Sequence, residues 1–263
     1  MGEVLRFSID GELLDPGEAF LPLPDDGLLR GDGVFEVARV YGGRPFALDL
    51  HFDRMERSAA AIDLVLERDL LEAEAARLID SAGDRDFLIR LVQTRSGRRI
   101  LSLEELPDHS ATISLATIRY SPTLILNGVK SLSYAANMHA TRLANKAGAD
   151  EALFVRPDGV VLEPPTSSIF WATAEGRLRT PALEAGVLDS ITRRKIVERL
   201  EVEEAEFQLD DLMSASEAFL ASTTREAHPV SRIDRQPLPT IDGPKTKEAA
   251  AAFGQALNAD LGA

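Results

Sequence analysis

The sequence predicts a fold of the α+β class, and three observations support this. Segments rich in β-branched and aromatic residues end in short glycine turns, as residues 34–41 do before Gly42-Gly43, which is typical of β-hairpins. Other segments place apolar residues at three- and four-residue spacing, which predicts helices. Hairpins are also too frequent for a purely parallel sheet. With 263 residues, the chain is long enough for two domains of ordinary size.

The N-terminal part combines strands with a helical region. Phe52, Met55 and Ala59 lie on one face of a helix predicted over 49–66, and a second helix is predicted over 70–81. The predicted strands of this part are 34–41, 45–50, 87–93 and 111–118, with an arginine-rich turn between the last two.

A linker is predicted after these elements, because Ser121-Pro122-Thr123 interrupts the pattern of strands and helices. We therefore expect a small N-terminal α/β domain over 1–120, a linker over 121–124 and a larger C-terminal domain over 125–263.

The C-terminal part alternates short strands with helices. An apolar, strand-like run over 124–129 leads to Lys130, and Asp189 or Ser190 can cap a helix that ends at Leu200. Further helices are predicted over 134–147 and 245–257, and the predicted strands are 151–155, 160–163, 169–172, 218–222 and 230–233.

The composition excludes several classes of function. Asp and Glu number 43 against 29 Lys and Arg, so the net charge of −14 argues against a nucleic-acid binder, which needs a basic face. The chain has no cysteine, which excludes thiolate metal sites and a Cys nucleophile. Its four histidines lack metal-site or triad spacing, so no metal is expected. No apolar stretch is long enough for a membrane span, and a cytoplasmic enzyme is the expectation.

Lys130 is the first candidate for chemistry. It follows an apolar run and precedes a predicted helix, so its amine could point into a cleft, where desolvation would lower its pKa and make it nucleophilic. Position alone favours the alternative, an exposed lysine at a strand end, because most lysines are solvated.

Two further segments have features of an anion site. Residues 186–194 run from a loop into a helix N-terminus, where backbone N–H groups favour an anion, although this segment alone favours a plain capped helix. Residues 221–226 end a strand with three hydroxyls. Arg54 could form a surface ion pair or clamp a phosphate, and Glu163 could be an exposed edge or the partner of a protonated heterocycle nitrogen.

Taken together and in this order, seven segments resemble the class IV aminotransferases, the fold type IV enzymes that use pyridoxal phosphate. They span about residues 28 to 233, nearly the whole chain, and they favour the catalytic interpretation of Lys130. The matching segments are Gly31-Asp32-Gly33-Val34-Phe35-Glu36, His51-Phe52-Asp53-Arg54, Val129-Lys130-Ser131-Leu132, Ala147-Gly148-Ala149-Asp150-Glu151-Ala152, Gly159-Val160-Val161-Leu162-Glu163, residues 186–194, and Ser222-Thr223-Thr224-Arg225-Glu226.

The resemblance implies a two-domain fold, like that of the D-amino-acid aminotransferases, with the cofactor between the domains. In this family pattern Lys130 carries the Schiff base to the cofactor. Glu163 pairs with the pyridine nitrogen and keeps it protonated, so that the ring can act as an electron sink. The cofactor phosphate is expected to bind Arg54, the Ile191 N–H with Thr192, and Thr223. The resemblance also implies a homodimer and small-molecule substrates, amino acids and 2-oxo acids.

Two departures from the family pattern bear on the site. After Glu163 the chain reads Pro164-Pro165-Thr166-Ser167-Ser168 instead of the family's Gly-Ser-Ser-Ser-Asn, and Ser133 stands where an Asn is common. Both change the loop and the hydrogen bonding expected near the cofactor.

The motifs favour transfer between a D-amino acid and a 2-oxo acid, with (R)-amines as side substrates. D-enzymes hold the substrate carboxylate with a Tyr and an Arg-x-His pair. Here Phe35 takes the Tyr position and the loop over 95–100 has no His. Arg30 with Arg98 or Arg99 is therefore expected to bind the carboxylate, with surface arginines as the alternative. Thr224 is also expected to contact substrate.

Three alternatives stay open. One is a 4-amino-4-deoxychorismate lyase forming 4-aminobenzoate and pyruvate, which Ile169-Phe170-Trp171 favours and Glu36 disfavours. Another is a branched-chain L-amino-acid aminotransferase. A non-catalytic binding protein is disfavoured, because Lys130, Glu163 and Arg54 are all present.

Overall fold

The computed structural model describes residues 2–262, which form two compact units. Residues 2–108, 129–134 and 260–262 form the first, called the N-terminal unit, and residues 109–128 and 135–259 form the C-terminal unit. The fold class, α+β, is confirmed. The predicted domains, 1–120 and 125–263, stay a prediction; the compact units divide after residue 108 and assign 129–134 to the N-terminal unit.

The N-terminal unit is an antiparallel sheet with helices against it. The sheet order is β2-β1-β6-β5-β3-β4. Its strands are β1 Val4–Ile9, β2 Glu12–Leu14, β3 Gly33–Tyr41, β4 Arg44–Pro45, β5 Phe87–Thr94 and β6 Arg99–Glu104, and its helices are α1 Asp26–Arg30, α2 Leu48–Ala61 and α3 Arg68–Asp80.

The apolar spacing read from the sequence forms the core of this unit. Phe52 and Met55 of α2 pack with Leu71 and Leu78 of α3 in one buried cluster, which also holds Ile89 of β5. Each of these side chains is at most 1% exposed. Truncating one to Ala would cost about 2–5 kcal/mol of stability.

Two sequence predictions in this unit are wrong. The strand expected over 45–50 ends at Pro45, because Ala47 adopts a left-handed backbone with φ 50° and α2 begins at Leu48. The expected arginine-rich turn is only 95–98; β6 follows it, since its backbone pairs with both β5 and β1. The strands β1 and β2 were not predicted.

The C-terminal unit contains an eight-stranded sheet with parallel and antiparallel pairs. The order is β11-β10-β9-β12-β13-β7-β8, with β14 beside β13. The strands are β7 Ile113–Arg119, β8 Glu151–Val155, β9 Ser168–Ala172, β10 Leu178–Pro181, β11 Val202–Ala205, β12 Glu217–Ser222, β13 Glu226–Ile233 and β14 Gln236–Pro237, and the helices are α4 Ala135–Lys146, α5 Ile191–Val197, α6 Leu209–Met213 and α7 Pro244–Leu261.

The strand-like run over 124–129 is the main correction in this unit. It forms a single 3₁₀ turn at Leu124–Leu126, with Leu124 85% and Ile125 83% exposed. Apolar residues there do not pair with the sheet. The strand expected over 160–163 is also reduced to isolated bridges, Val155 with Val161 and Val160 with Gln208.

None of the helices formed by the described residues has the length and apolar character that a bilayer crossing requires.

Candidate active site

A buried ion cluster lies in the N-terminal unit. Glu36 on β3 is 0% exposed, and its carboxylate accepts hydrogen bonds from Arg54 Nε at 2.6 Å and Nη2 at 2.7 Å. His51 Nδ1 lies 2.8 Å from Glu36 Oε2. His51 and Arg54 are three residues apart on α2, so one helical face presents both to the strand. We call these three residues the Glu36 cluster.

The Glu36 cluster is a neutral assembly of an anion, a cation and an uncharged imidazole. Burial would raise the pKa of Glu36, but the charge and hydrogen bonds of Arg54 and His51 hold it well below its usual range. Burial lowers the pKa of His51, and Arg54 and Lys130 lower it further, against the effect of Glu36. Because Glu36 is ionised, the His51 Nδ1–H donates to it.

Lys130 lies beside two aromatic rings of the same unit. Its Nζ is 4.1 Å from the centroid of the Phe35 ring and 5.8 Å from that of Tyr134. The rings meet edge to face at 5.3 Å. The geometry is that of a cation–π contact, which orients the amine over the Phe35 ring.

Backbone hydrogen bonds fix the position of Lys130. The Phe35 N–H donates to the Lys130 carbonyl at 3.1 Å, and the Lys130 N–H donates to Ser58 Oγ at 3.2 Å. Ser131 forms an antiparallel bridge with Val34. Residues 129–134 therefore run along the start of β3, which explains why Lys130 belongs to the N-terminal unit although it lies far along the chain.

The C-terminal unit holds the other predicted cofactor residues. Glu163 Oε1 accepts a hydrogen bond from the Leu188 N–H at 2.8 Å, so one carboxylate oxygen is fixed by the backbone. Ile191 and Thr192 are both 2% exposed at the start of α5, where first-turn N–H groups have no partner within the helix. Ser190 caps that helix, accepting from Arg193 N.

Buried hydroxyls of this unit test whether the cofactor fits. Ser167 and Ser168 at the start of β9, and Ser222 at the end of β12, have Oγ atoms that are buried without a hydrogen-bond partner among the described residues. Ser168 pairs in register with Ala221, the residue before Ser222. Each unmet hydroxyl costs about 1–3 kcal/mol. The set therefore fits a phosphorylated, polar cofactor, with Thr223 in the turn after β12.

The predicted substrate residues are placed differently from one another. Phe35 contacts Lys130, and Thr224 lies in the turn between β12 and β13. The Arg30 side chain is 76% exposed and donates to Asp26 at 3.0 Å, and Arg98 pairs with Asp10. Since both arginines already hold a carboxylate at the surface, the geometry does not support a substrate role, which stays a prediction.

Two members of the Glu36 cluster had no role in the sequence analysis. Glu36 and His51 stand in segments that carry the family resemblance, but no contact is predicted for either side chain. The signal was present: His51 and Arg54 share the helix face that carries Met55 and Phe52, and polar residues on an apolar face need buried partners.

Comparisons with known proteins agree on one family. The family model for amino-transferase class IV matches residues 33–233. A putative branched-chain-amino-acid aminotransferase of Methanocaldococcus jannaschii is 32% identical over 255 residues, covering 88% of each chain. Aminodeoxychorismate lyase of Bacillus subtilis is 31% identical, covering 86% of each. D-alanine aminotransferase of Bacillus licheniformis is 29% identical, covering 96% of this chain and 97% of the relative.

Solved structures are similar over almost the whole chain. A fold IV transaminase from Curtobacterium pusillum has a TM-score of 0.84 at 29% identity, covering 92% of both chains. A hypothetical aminotransferase from Mycobacterium tuberculosis in its PLP-bound form has a TM-score of 0.86 at 26% identity, covering 97% of this chain and 99% of that one.

Proposed function

This chain belongs to the class IV aminotransferase family, and from that premise we propose that it transfers an amino group between a D-amino acid and a 2-oxo acid. It is a pyridoxal-phosphate enzyme, as the family and the buried hydroxyls of its C-terminal unit support. The observation that carries the proposal is Lys130 Nζ over the Phe35 ring, close enough to the Glu36 cluster for its charge to lower the pKa of His51.

Lys130 is the proposed catalytic residue. When bound, pyridoxal phosphate supplies an electron sink for the charge that develops on the substrate carbon. Lys130 Nζ would hold the cofactor and would then move a proton at that carbon, as a positioned amine does. Phe35 and Tyr134 lie beside the amine and would orient it.

The proposed cofactor contacts divide by chemistry. Glu163 would hold the pyridine nitrogen protonated, and its fixed Oε1 supports this because the hydrogen bond from Leu188 N–H sets the direction of the carboxylate. Thr192 with the Ile191 N–H, and Thr223, would donate to the phosphate. Arg54 would also donate to the phosphate, oriented by a bidentate pair with Glu36 that offsets its charge.

The test is an absorption spectrum of the purified protein with added cofactor, recorded before and after D-alanine. We expect a visible band from covalent attachment, which D-alanine converts to the band of the amino form. Lys130→Ala should lose both, whereas Lys247→Ala, a change on the exposed face of α7, should keep both. A Lys130→Ala protein that turns over at the parental rate would refute the proposed mechanism.

The lyase is the second candidate, supported by a relative at 31% identity and by the lyase-like segment Ile169-Phe170-Trp171. A lyase would release pyruvate from 4-amino-4-deoxychorismate without an acceptor. The branched-chain alternative is supported by a relative at 32% identity and predicts that L-valine, not D-alanine, converts the band. If (R)-amines also convert the absorption band, the enzyme has the proposed side activity on amines.

We also propose a cytoplasmic homodimer. Support for the dimer is a set of large apolar side chains exposed in the N-terminal unit, which mark an interaction surface. They are Phe20, Leu23, Leu28 and Leu29, between 56% and 79% exposed. Sedimentation equilibrium measures the mass, and a monomer at assay concentration would contradict this part. A cytoplasmic location suits substrates drawn from amino-acid metabolism. Cell fractionation tests it.

A further inference from the structure

Arg225 in the C-terminal unit contacts two imidazoles and no carboxylate. It lies in the turn between β12 and β13, which its N–H closes by donating to the Ser222 carbonyl at 3.2 Å. Its Nη1 is 3.0 Å from His228 Nδ1 and 3.2 Å from His109 Nδ1. The two rings are 5.7 Å apart. We call these residues the Arg225 cluster.

The cluster keeps the full charge of the guanidinium. A guanidinium only donates hydrogen bonds, so both imidazoles accept through an unprotonated Nδ1. Neutral acceptors hold the side chain in place but do not neutralise it. Burial and then the charge of Arg225 lower the pKa of His228, which keeps that imidazole neutral.

One oxygen of each nearby carboxylate accepts hydrogen bonds from other donors. Within the described residues, no carboxylate oxygen lies within ion-pair distance of Arg225. Asp150 Oδ2 accepts from the Ser114 N–H and Oγ at 2.8 and 2.6 Å. Glu151 Oε1 accepts from Thr141 Oγ1 at 2.7 Å. Both act on Arg225 only at longer range, and burial still lowers the pKa of Arg225.

The two arginines that are buried within residues 2–262 both pair with carboxylates. Arg54 binds Glu36, and Arg193, 3% exposed, binds Glu204. A partly desolvated cation without a counterion is unfavourable, so Arg225 is suited to bind an anion that is not part of the chain. Arg225 also follows Thr223, which the proposed function assigns to the phosphate, and Thr224, which the sequence analysis expects to contact substrate.

We propose that Arg225 binds the carboxylate of the amino acid or 2-oxo acid, with His109 and His228 orienting its guanidinium. The inference rests on the proposed function and names the cation that Arg30 and Arg98 do not supply, because those two are paired with Asp26 and Asp10. A single carboxylate matches the single charge that the cluster leaves unbalanced.

The kinetic test compares three variants of the holoenzyme. Arg225→Gln should raise the KM for D-alanine and for pyruvate about 10- to 100-fold, the loss expected for a charged hydrogen bond, with a smaller effect on kcat. Arg225→Lys should recover part of the loss. Arg235→Gln, an exposed change shortly after the same hairpin, is the matched control and should leave KM unchanged.

A binding test uses the imidazole as the reporter. In the unsubstituted holoenzyme, pyruvate should shift the His228 ring signals in NMR spectra and raise the pKa of His228, because the bound carboxylate offsets the charge of Arg225. Arg225→Gln should abolish the response. This readout needs no turnover, and it applies to the parental protein even if the variant folds poorly.

The outcomes separate the two levels of the argument. No cofactor band and no reaction with D-alanine would overturn the proposed function and this inference together. Normal turnover with an unchanged KM in Arg225→Gln, and no His228 response to pyruvate, would overturn only the inference. A weaker affinity for pyridoxal phosphate with unchanged substrate KM would show that Arg225 binds the cofactor phosphate, and would overturn it also.

Discussion

The Glu36 cluster and the Arg225 cluster use the same two basic residue types with opposite electrostatic results. In the first, Arg54 shares a bidentate pair with a buried carboxylate, and His51 adds a donor. In the second, Arg225 meets only imidazoles. The first arrangement cancels its charge and stabilises the N-terminal unit, whereas the second retains a charge that a ligand can use. The partner of an arginine, more than its burial, therefore decides how much of its charge is available to a ligand.

The largest effect should come from breaking the paired cluster. Glu36→Gln removes the negative charge and leaves Arg54 buried without a counterion, so we expect a loss of about 3–5 kcal/mol in the free energy of unfolding. Urea denaturation at neutral pH measures it. Asp26→Asn breaks the exposed pair with Arg30 as the control and should change stability by less than about 1 kcal/mol.

A double variant makes this prediction stricter. In Glu36→Gln/Arg54→Met both charges are absent, so much of the loss should be recovered. If the double variant were as unstable as the sum of the two single variants, the pair would not be coupled, and the contrast between the clusters would fail.

Removing the charge of Arg225 should raise the free energy of unfolding or leave it almost unchanged. Arg225→Gln removes a partly desolvated charge that has no counterion, so we expect the free energy of unfolding to stay within about 0.5 kcal/mol of the parental value or to rise. The same urea experiment measures it. A loss as large as that of Glu36→Gln would mean that Arg225 has a structural counterion, which would remove the basis for its role in binding.

The sequence was sufficient for the elements with strong periodicity and for the family. The spacing of Phe52, Met55 and Ala59 predicts α2, and the observed Leu48–Ala61 agrees in its core. The strand-like structure predicted over 124–129 is wrong, because hydrophobicity alone does not distinguish a strand from an exposed turn. The strand β6 was not predicted, because its pairing partner β1 lies far from it in the sequence.

For the candidate site, the sequence supplied residue types and not partners. The resemblance singled out Lys130, Arg54 and Glu163, but it could not show that Arg54 is bound to Glu36 or that Arg30 is occupied by Asp26. Partners depend on which residues the fold brings together, and local pattern does not encode that. The contrast between the two clusters is visible only in three dimensions.

The smallest predicted effect is a pH dependence that distinguishes the clusters. The pKa of His228 is lowered from 6.5 by burial, Arg225 and His109, against Ser110 and Asp150. A group whose folded pKa is depressed stabilises the fold above its unfolded pKa, so this contribution should be lost as pH falls through and below about 6.5. His51 acts in the same direction. Glu36 loses its contribution only further into acid, below its unfolded value of 4.5.

Urea denaturation between pH 8 and pH 5.5, roughly the range in which histidine titrates, tests this assignment. His228→Gln should reduce the fall in stability with acid, and Arg225→Gln should reduce it also, because the charge that depresses the pKa of His228 is gone. His139→Gln, on the exposed face of α4, is the control and should leave the slope unchanged. If Arg225→Gln left the slope as in the parental protein, the guanidinium would not act on His228. The Arg225 cluster would then be a set of neighbours without electrostatic coupling.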